Sequence, residues 1–153
     1  MIEARVATVD VYPLRRQADT WQTLVLQRAA NTRCTGAWEA VHGHIEPGER
    51  PEEAAIRELA EETGLAIAHL YNVTVQPFYL HSMDVVTLAV AFAGVVRDGP
   101  IHLSDEHARA EWVSIDEAVA RYAWPRSAVA LRDAAYLLRS GDGGFVDDVL
   151  KVR

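Results

Sequence analysis

Two short segments near the start of the chain, Arg5 to Tyr12 and Trp21 to Gln27, are rich in Val, Thr and Leu and are bounded by polar or proline-containing stretches, the pattern of β-strands. From Pro51 to Thr63 the period changes. Ala55, Ile56, Leu59 and Ala60 recur at helical spacing, with Pro51 suited to the first helical position and Gly64 to the stop. Tyr71 to Leu80 and Val85 to Val96 return to β-branched and aromatic residues, separated by His-Ser-Met-Asp, which suits two strands joined by a turn. A short strand is predicted at Ala110 to Val113. Ser114 then caps a short helix through Tyr122, with Glu117 completing a capping-box pattern, and Pro125 opens a second helix to about Arg139, closed by a Gly-rich stretch. Strands before, between and after helices, with antiparallel hairpins among them, predict an α/β fold with a mixed sheet and helices on its faces. The stretches Pro13 to Thr20 and Arg97 to Asp105 read as loops too short to be interdomain linkers, so residues 1–153 are expected to form one domain.

Composition narrows the function. Fifteen Lys plus Arg against 22 Asp plus Glu give a net charge of −7, and half of the residues are apolar, as in ordinary globular proteins. The single cysteine, Cys34, excludes an intrachain disulfide and a CxxC zinc site, which fits a reducing, cytoplasmic setting. The longest apolar run, Val85 to Val96, falls well short of the ~18 residues a membrane helix needs, and Glu3, Arg5 and Asp10 break any signal-peptide core. No membrane partner is expected. Nor is a nucleic-acid polymer, because that affinity comes chiefly from Lys and Arg releasing counterions from phosphate. If the protein binds an anion, something local must reverse the sign.

The chemistry concentrates between Gly43 and Leu65. On a helix, Glu58, Glu61 and Glu62 stand at i, i+3 and i+4, on one face. Like charges at that spacing repel, and Glu61 and Glu62 also sit at the C-terminal end, where the macrodipole disfavours anions by ~0.3 to 1 kcal/mol each. A bound cation would repair both faults. Oxygen ligands without cysteine point to a hard divalent ion, Mg²⁺ or Mn²⁺, and a phosphate-bearing ligand is its natural companion. The alternative is a solvated acidic face, with Arg57 merely pairing with Glu53 or Glu61.

The joint pattern favours the first reading. Gly43, Glu49, Arg57, Glu58, Leu59, Glu61, Glu62, Gly64 and Leu65 resemble the Nudix box, G-x5-E-x7-R-E-U-x-E-E-x-G-U, at every fixed position. The resemblance to the Nudix hydrolase family implies an α/β/α sandwich on a mixed sheet, with the box as loop, helix and loop. It also implies hydrolysis of a nucleoside diphosphate linked to another group. By position, Glu58, Glu61, Glu62 and the carbonyl of Gly43 would be metal ligands, with Glu61 also catalytic, and two or more ions would be present with substrate. Arg57 would hold Glu49, which serves as ligand or as part of the base system. The chain departs from the common pattern in having His42 rather than Gly before Gly43, and Arg50 where Ser or Thr would cap the helix better.

Outside the box, Asp105-Glu106-His107 precedes Trp112 and resembles the loop from which several Nudix enzymes supply a further glutamate to the metals or as general base. That role falls to Glu106, and His107 is expected to be structural or substrate-adjacent. The wider sequence is most similar to dATP pyrophosphohydrolases and dihydroneopterin triphosphate pyrophosphatases. This implies a nucleoside or pterin triphosphate as partner, pyrophosphate and a monophosphate as products, and homodimers as in relatives. Trp38 could stack on a base or pterin for ~1 to 3 kcal/mol, or equally be a core tryptophan with its N–H satisfied. Phe78, Tyr79 and His81 are further aromatic candidates, and Arg28, ending a strand, could reach phosphate. Rival readings are hydrolysis of ADP-ribose or of dinucleoside polyphosphates, and a noncatalytic nucleotide sensor. Sensors of this fold often lose box carboxylates, and here all are kept.

Overall fold

The computed structural model describes all residues, Met1–Arg153. Its frame is a seven-stranded mixed sheet organised around β1 (Glu3–Gln17). One edge of β1 runs parallel to β6 (Val85–Val96), from Glu3 opposite Val85 to Leu14 opposite Val95. Its other edge is shared. β4 (Val41–His44) pairs antiparallel with Thr8 to Val11, and β2 (Thr20–Arg28) with Leu14 to Gln17. β5 (Ile67–Leu80) lies antiparallel on the outer side of β6, while β2 also carries β7 (His107–Ser114) and the two-residue β3 (Trp38–Glu39).

Side-chain alternation on β1 divides the molecule into layers. Val9 and Val11 point to one face and pack with Leu24, Leu26 and Val41 against Ala55 and Leu59 of α1 (Pro51–Thr63). Tyr12 and Leu14 point to the other and pack with Val25 against α2 (Ile115–Arg121) and α3 (Pro125–Leu137), through Ala118, Leu131 and Ala134. The result is the expected α/β/α sandwich. Asp10 belongs by parity to the α3 face.

α1 starts and stops where the sequence predicts. Arg50 occupies the N-cap without a side-chain cap bond, and Pro51 supplies the first turn. Gly64 closes the helix at φ 75°, a left-handed conformation that costs glycine little. In α2 only half of the capping box forms. Ser114 Oγ accepts the Glu117 amide at 3.1 Å, but the Glu117 carboxylate turns to Arg121 instead of back to the cap.

The stretch Pro13 to Thr20 is not a loop, because β1 continues through Pro13 to Gln17. Pro13 falls where β1 exchanges β4 for β2 as its neighbour, and its carbonyl accepts the Thr23 hydroxyl at 2.7 Å, so a missing amide is tolerated there. β7 begins three residues earlier than expected, opposite Arg28. That extension fixes His107 in the sheet and Glu106 at its rim, the Ala29 amide donating to the Glu106 carbonyl at 2.9 Å. The short β3 and β4, and a C-terminal α4 (Asp147–Leu150), add elements the hydropathy pattern does not reveal. No helix is long and apolar enough to cross a membrane.

Candidate active site

β4, the turn after it and α1 bring the box together. Gly43 is buried in β4, and a Cβ built on it would lie 2.0 Å from Cδ of Glu58, so the Glu58 carboxylate rests directly on the strand backbone. Only glycine allows this approach. From α1, Arg57 reaches back over the connecting turn. Its Nε and Nη2 donate to the two oxygens of Glu49 at 2.8 and 2.9 Å, Nη2 also donates to the His44 carbonyl at 2.9 Å, and Nη1 donates to Glu58 at 2.8 Å and Glu61 at 3.2 Å. Glu53 is not a partner. The Arg57 hydrogen bonds, with the Glu46 amide on the same carboxylate, hold Glu49 down to about 2. Glu49 is thus an ionised clamp on the turn.

The three helix carboxylates do not share one environment. Glu61 is 58% exposed at its side chain, Glu58 14% and Glu62 only 4%. Neither oxygen of Glu62 has a hydrogen-bond partner. Burial first, then the nearby Glu106, Glu58 and Glu39, push its carboxyl up to about 9. Its neighbours are Glu106 and His107, and one polar atom from each of the three lies within 4.8 Å of the others. His107 is fully buried, with Nδ1 3.6 Å from Glu62 Oε1 and Nε2 3.1 Å from Glu39, which in turn pairs with Arg28 at 3.3 Å. Burial alone would raise Glu39, but His107 and Arg28 outweigh it and lower it. Burial also raises Glu58, against the pull of Arg57.

Such a cluster fits a divalent cation. A buried carboxylate without donors is costly unless it is neutralised, and Glu62, Glu58 and Glu106 offer hard oxygen atoms with no lysine or arginine on Glu62 or Glu106. Mg²⁺ and Mn²⁺ both suit oxygen donors.

Glu58, Glu61 and Glu106 open onto a cleft of about 1040 Å³, with Arg28, Arg33 and Arg57 also on its walls. Phe78 and Tyr79 both line it, and the Tyr79 hydroxyl donates to Asp84 at 2.7 Å. Trp38 and His81 are not among the cleft-lining residues. The Trp38 ring is covered by Arg109 and Arg121, at 5.5 and 5.0 Å from its centroid, and His81 sits in the exposed turn between β5 and β6.

Sequence reasoning missed a second polar group in the same cleft. Asp10, 4% exposed at its side chain, is 2.6 Å from His42 Nδ1 and accepts from Nε and Nη2 of Arg126 at 3.3 and 3.4 Å. Burial would raise Asp10, yet His42 and Arg126 together lower it. A lone acid between Val9 and Val11 in an apolar strand was the available signal.

The fold and this constellation define a class of α/β/α domain with a carboxylate-lined cleft beside its helix-bearing sheet. Residues 4–134 match the family model described as the NUDIX domain, and the chain belongs to that family. Over 87 residues it is 34% identical to the asymmetrical bis(5'-nucleosyl)-tetraphosphatase of Rattus norvegicus, covering 53% of this chain and 58% of that one. Over 124 residues it is 29% identical to the CTP pyrophosphohydrolase of Escherichia coli K12, covering 76% and 84%. The E. coli dihydroneopterin triphosphate pyrophosphohydrolase structure superposes with a TM-score of 0.67 over 86% of this chain and 96% of that one, at 21% identity, which speaks to the fold alone. The chain spans little more than half the length of the rat relative and 18% of a Caenorhabditis elegans Nudix protein that it also matches.

Proposed function

We propose that the protein is a divalent-metal-dependent pyrophosphohydrolase that converts a nucleoside or pterin triphosphate to a monophosphate and pyrophosphate, as one domain. The observation that carries this reading is Glu62, a buried carboxylate with two unpartnered oxygens beside Glu106 and within one helical turn of Glu58, both of which line a cleft with arginines on its walls. Glu58, Glu61, Glu62 and the Gly43 carbonyl would hold Mg²⁺ or Mn²⁺. Such ions, when bound, neutralise polyphosphate and lower the pKa of the attacking water.

The remaining work falls to the chain's own groups. Glu49 spends both oxygens on Arg57 and is held at about 2, which makes it a poor proton acceptor and a good brace for the turn. Glu106 has no cationic partner and stands at the cleft wall, so it takes the proton from water as the new P–O bond forms and the anhydride bond between the monophosphate and pyrophosphate portions breaks. Arg28, fixed by Glu39, meets the phosphates. Names of relatives add CTP and dinucleoside tetraphosphates to the substrates worth testing. Hydrolysis of a nucleotide panel with and without Mg²⁺, in ¹⁸O-labelled water, tests the proposal. Pyrophosphate released only with metal supports it, and absence of turnover on every triphosphate overturns it.

A further inference from the structure

The Asp10–His42–Arg126 group stands apart from the carboxylates in both position and chemistry. Asp10 shares the α3 face of the sheet with Tyr12, whereas Gly43 presents its Cβ direction to Glu58 on α1. Both groups line one cleft, so a nucleotide whose polyphosphate is held through divalent ions at the α1 carboxylates can place its other end against the second group. Arg126 is the second residue of α3 and is held in place from several directions. Asp10 grips Nε and Nη2, the Phe78 ring lies 4.4 Å from its Cζ and the Trp124 ring 5.8 Å, and Gln76 donates to its carbonyl at 2.9 Å. His42 in turn holds Asp10.

A guanidinium has five N–H donors. Asp10 engages two, and no other acceptor takes the rest, so both Nη1 hydrogens and one on Nη2 remain. With the side chain only 20% exposed and an aromatic ring against the guanidinium, what it offers a ligand is a planar donor edge. That edge matches two adjacent acceptors in a plane, such as a carbonyl oxygen beside a ring nitrogen. A phosphate would have to approach next to Asp10, whose carboxylate repels it.

We infer that Arg126, braced by Asp10 and Phe78, selects the base of the substrate, favouring a fused-ring base that presents a carbonyl oxygen beside an unprotonated ring nitrogen, as guanine and pterin do, over adenine. Adenine puts an amino donor where the carbonyl would be, and two donors then face each other. The inference rests on the triphosphatase reading for its substrate, but its chemistry can be tested without turnover.

The experiment compares kcat/KM for dGTP, dihydroneopterin triphosphate and dATP in the wild type and in Arg126→Lys, which keeps the charge but loses the planar fork. The wild type is expected to prefer dGTP or the pterin over dATP by about 10-fold or more, mainly through KM. In Arg126→Lys that ratio should fall toward one, because kcat/KM drops further for dGTP and the pterin than for dATP. A wild type that favours dATP, or a variant that loses all three substrates equally, overturns the inference. Binding of GMP and AMP to the wild type, followed by tryptophan fluorescence with EDTA present, gives an arm independent of catalysis. If no triphosphate is hydrolysed but GMP binds more tightly than AMP, the proposed reaction fails and the base selection stands; equal binding overturns it.

Discussion

Asp10 and Glu62 are equally buried, each with 3% of its surface exposed, but they stand in opposite surroundings. Asp10 has His42 and Arg126 against it and is pulled below the ordinary carboxylate value. Glu62 has two bare oxygens, acidic neighbours and a carboxyl raised to about 9. The difference teaches how one chain uses a buried acid in two ways. A carboxylate with its cations built in fixes neighbouring side chains, and one without them is poised for a cation from solution.

The largest expected effect lies on the uncompensated side. Glu62→Gln should lower kcat by about 10² to 10⁴, because the variant keeps the shape and loses a metal oxygen's charge. Glu61→Gln should follow the same course. Retention of more than about half of the activity in both variants would remove the carboxylates from the chemistry. Glu106→Gln sharpens the same side: as proton acceptor it acts chiefly in the transition state, so kcat and kcat/KM should fall together. Wild-type kinetics in this variant would return Glu106 to the status of a solvated rim acid.

Next in size is the response to metal. Mg²⁺ at about 100 times its dissociation constant should stabilise the fold by about 2.7 kcal/mol, read as a higher thermal midpoint, and Glu62→Gln should lose most of that shift. An unmoved wild-type midpoint at millimolar Mg²⁺, with or without nucleotide, would count against the site. Asp10→Asn should instead cost about 1 to 3 kcal/mol in urea unfolding whether or not metal is present, since it takes the charge from a buried pair. Should Asp10→Asn be neutral and Glu62→Gln destabilising in EDTA, the comparison is reversed and fails.

The smallest signals are slopes against pH, at most about 1.4 kcal/mol per pH unit for one group. In metal-free protein Glu62 has a folded pKa near 9 against an unfolded 4.5, so the folded state holds the proton more tightly. Its contribution is full below 4.5 and is lost as pH rises toward 9. Asp10 runs the other way. Its folded pKa lies below the ordinary 3.8, so its contribution is present above that value and is lost as pH falls through the folded pKa. Urea midpoints in EDTA between pH 5 and 9 should flatten in Glu62→Gln and keep their slope in Asp10→Asn.

Much of the candidate site's geometry was legible along the chain because it is local. Helical spacing alone sets Glu58, Glu61 and Glu62 near one another, and Pro51 and Gly64 mark the ends of α1. The Glu49–Arg57 clamp spans eight residues across one turn and is likewise close to local. The α/β/α layering follows from strands and helices that each need an apolar face covered. Trp38, by contrast, reads in sequence as either a stacking or a core residue, and in space it packs against the core with Arg109 and Arg121 over its ring.

What the amino-acid order determined by itself was the set of carboxylates and the helix that carries them. Tertiary structure decided which of them are buried and what surrounds each. Glu61 and Glu62 are adjacent in sequence, yet one is exposed and the other sealed, because only the second turns inward toward Glu106 and His107. Asp10 and Arg126 meet across 116 residues, and His107 and Glu39 across 68. Those meetings depend on strand register and on α3 packing over the sheet. No periodicity within a segment encodes them, since a one-residue slip of β1 would turn Asp10 to the opposite face.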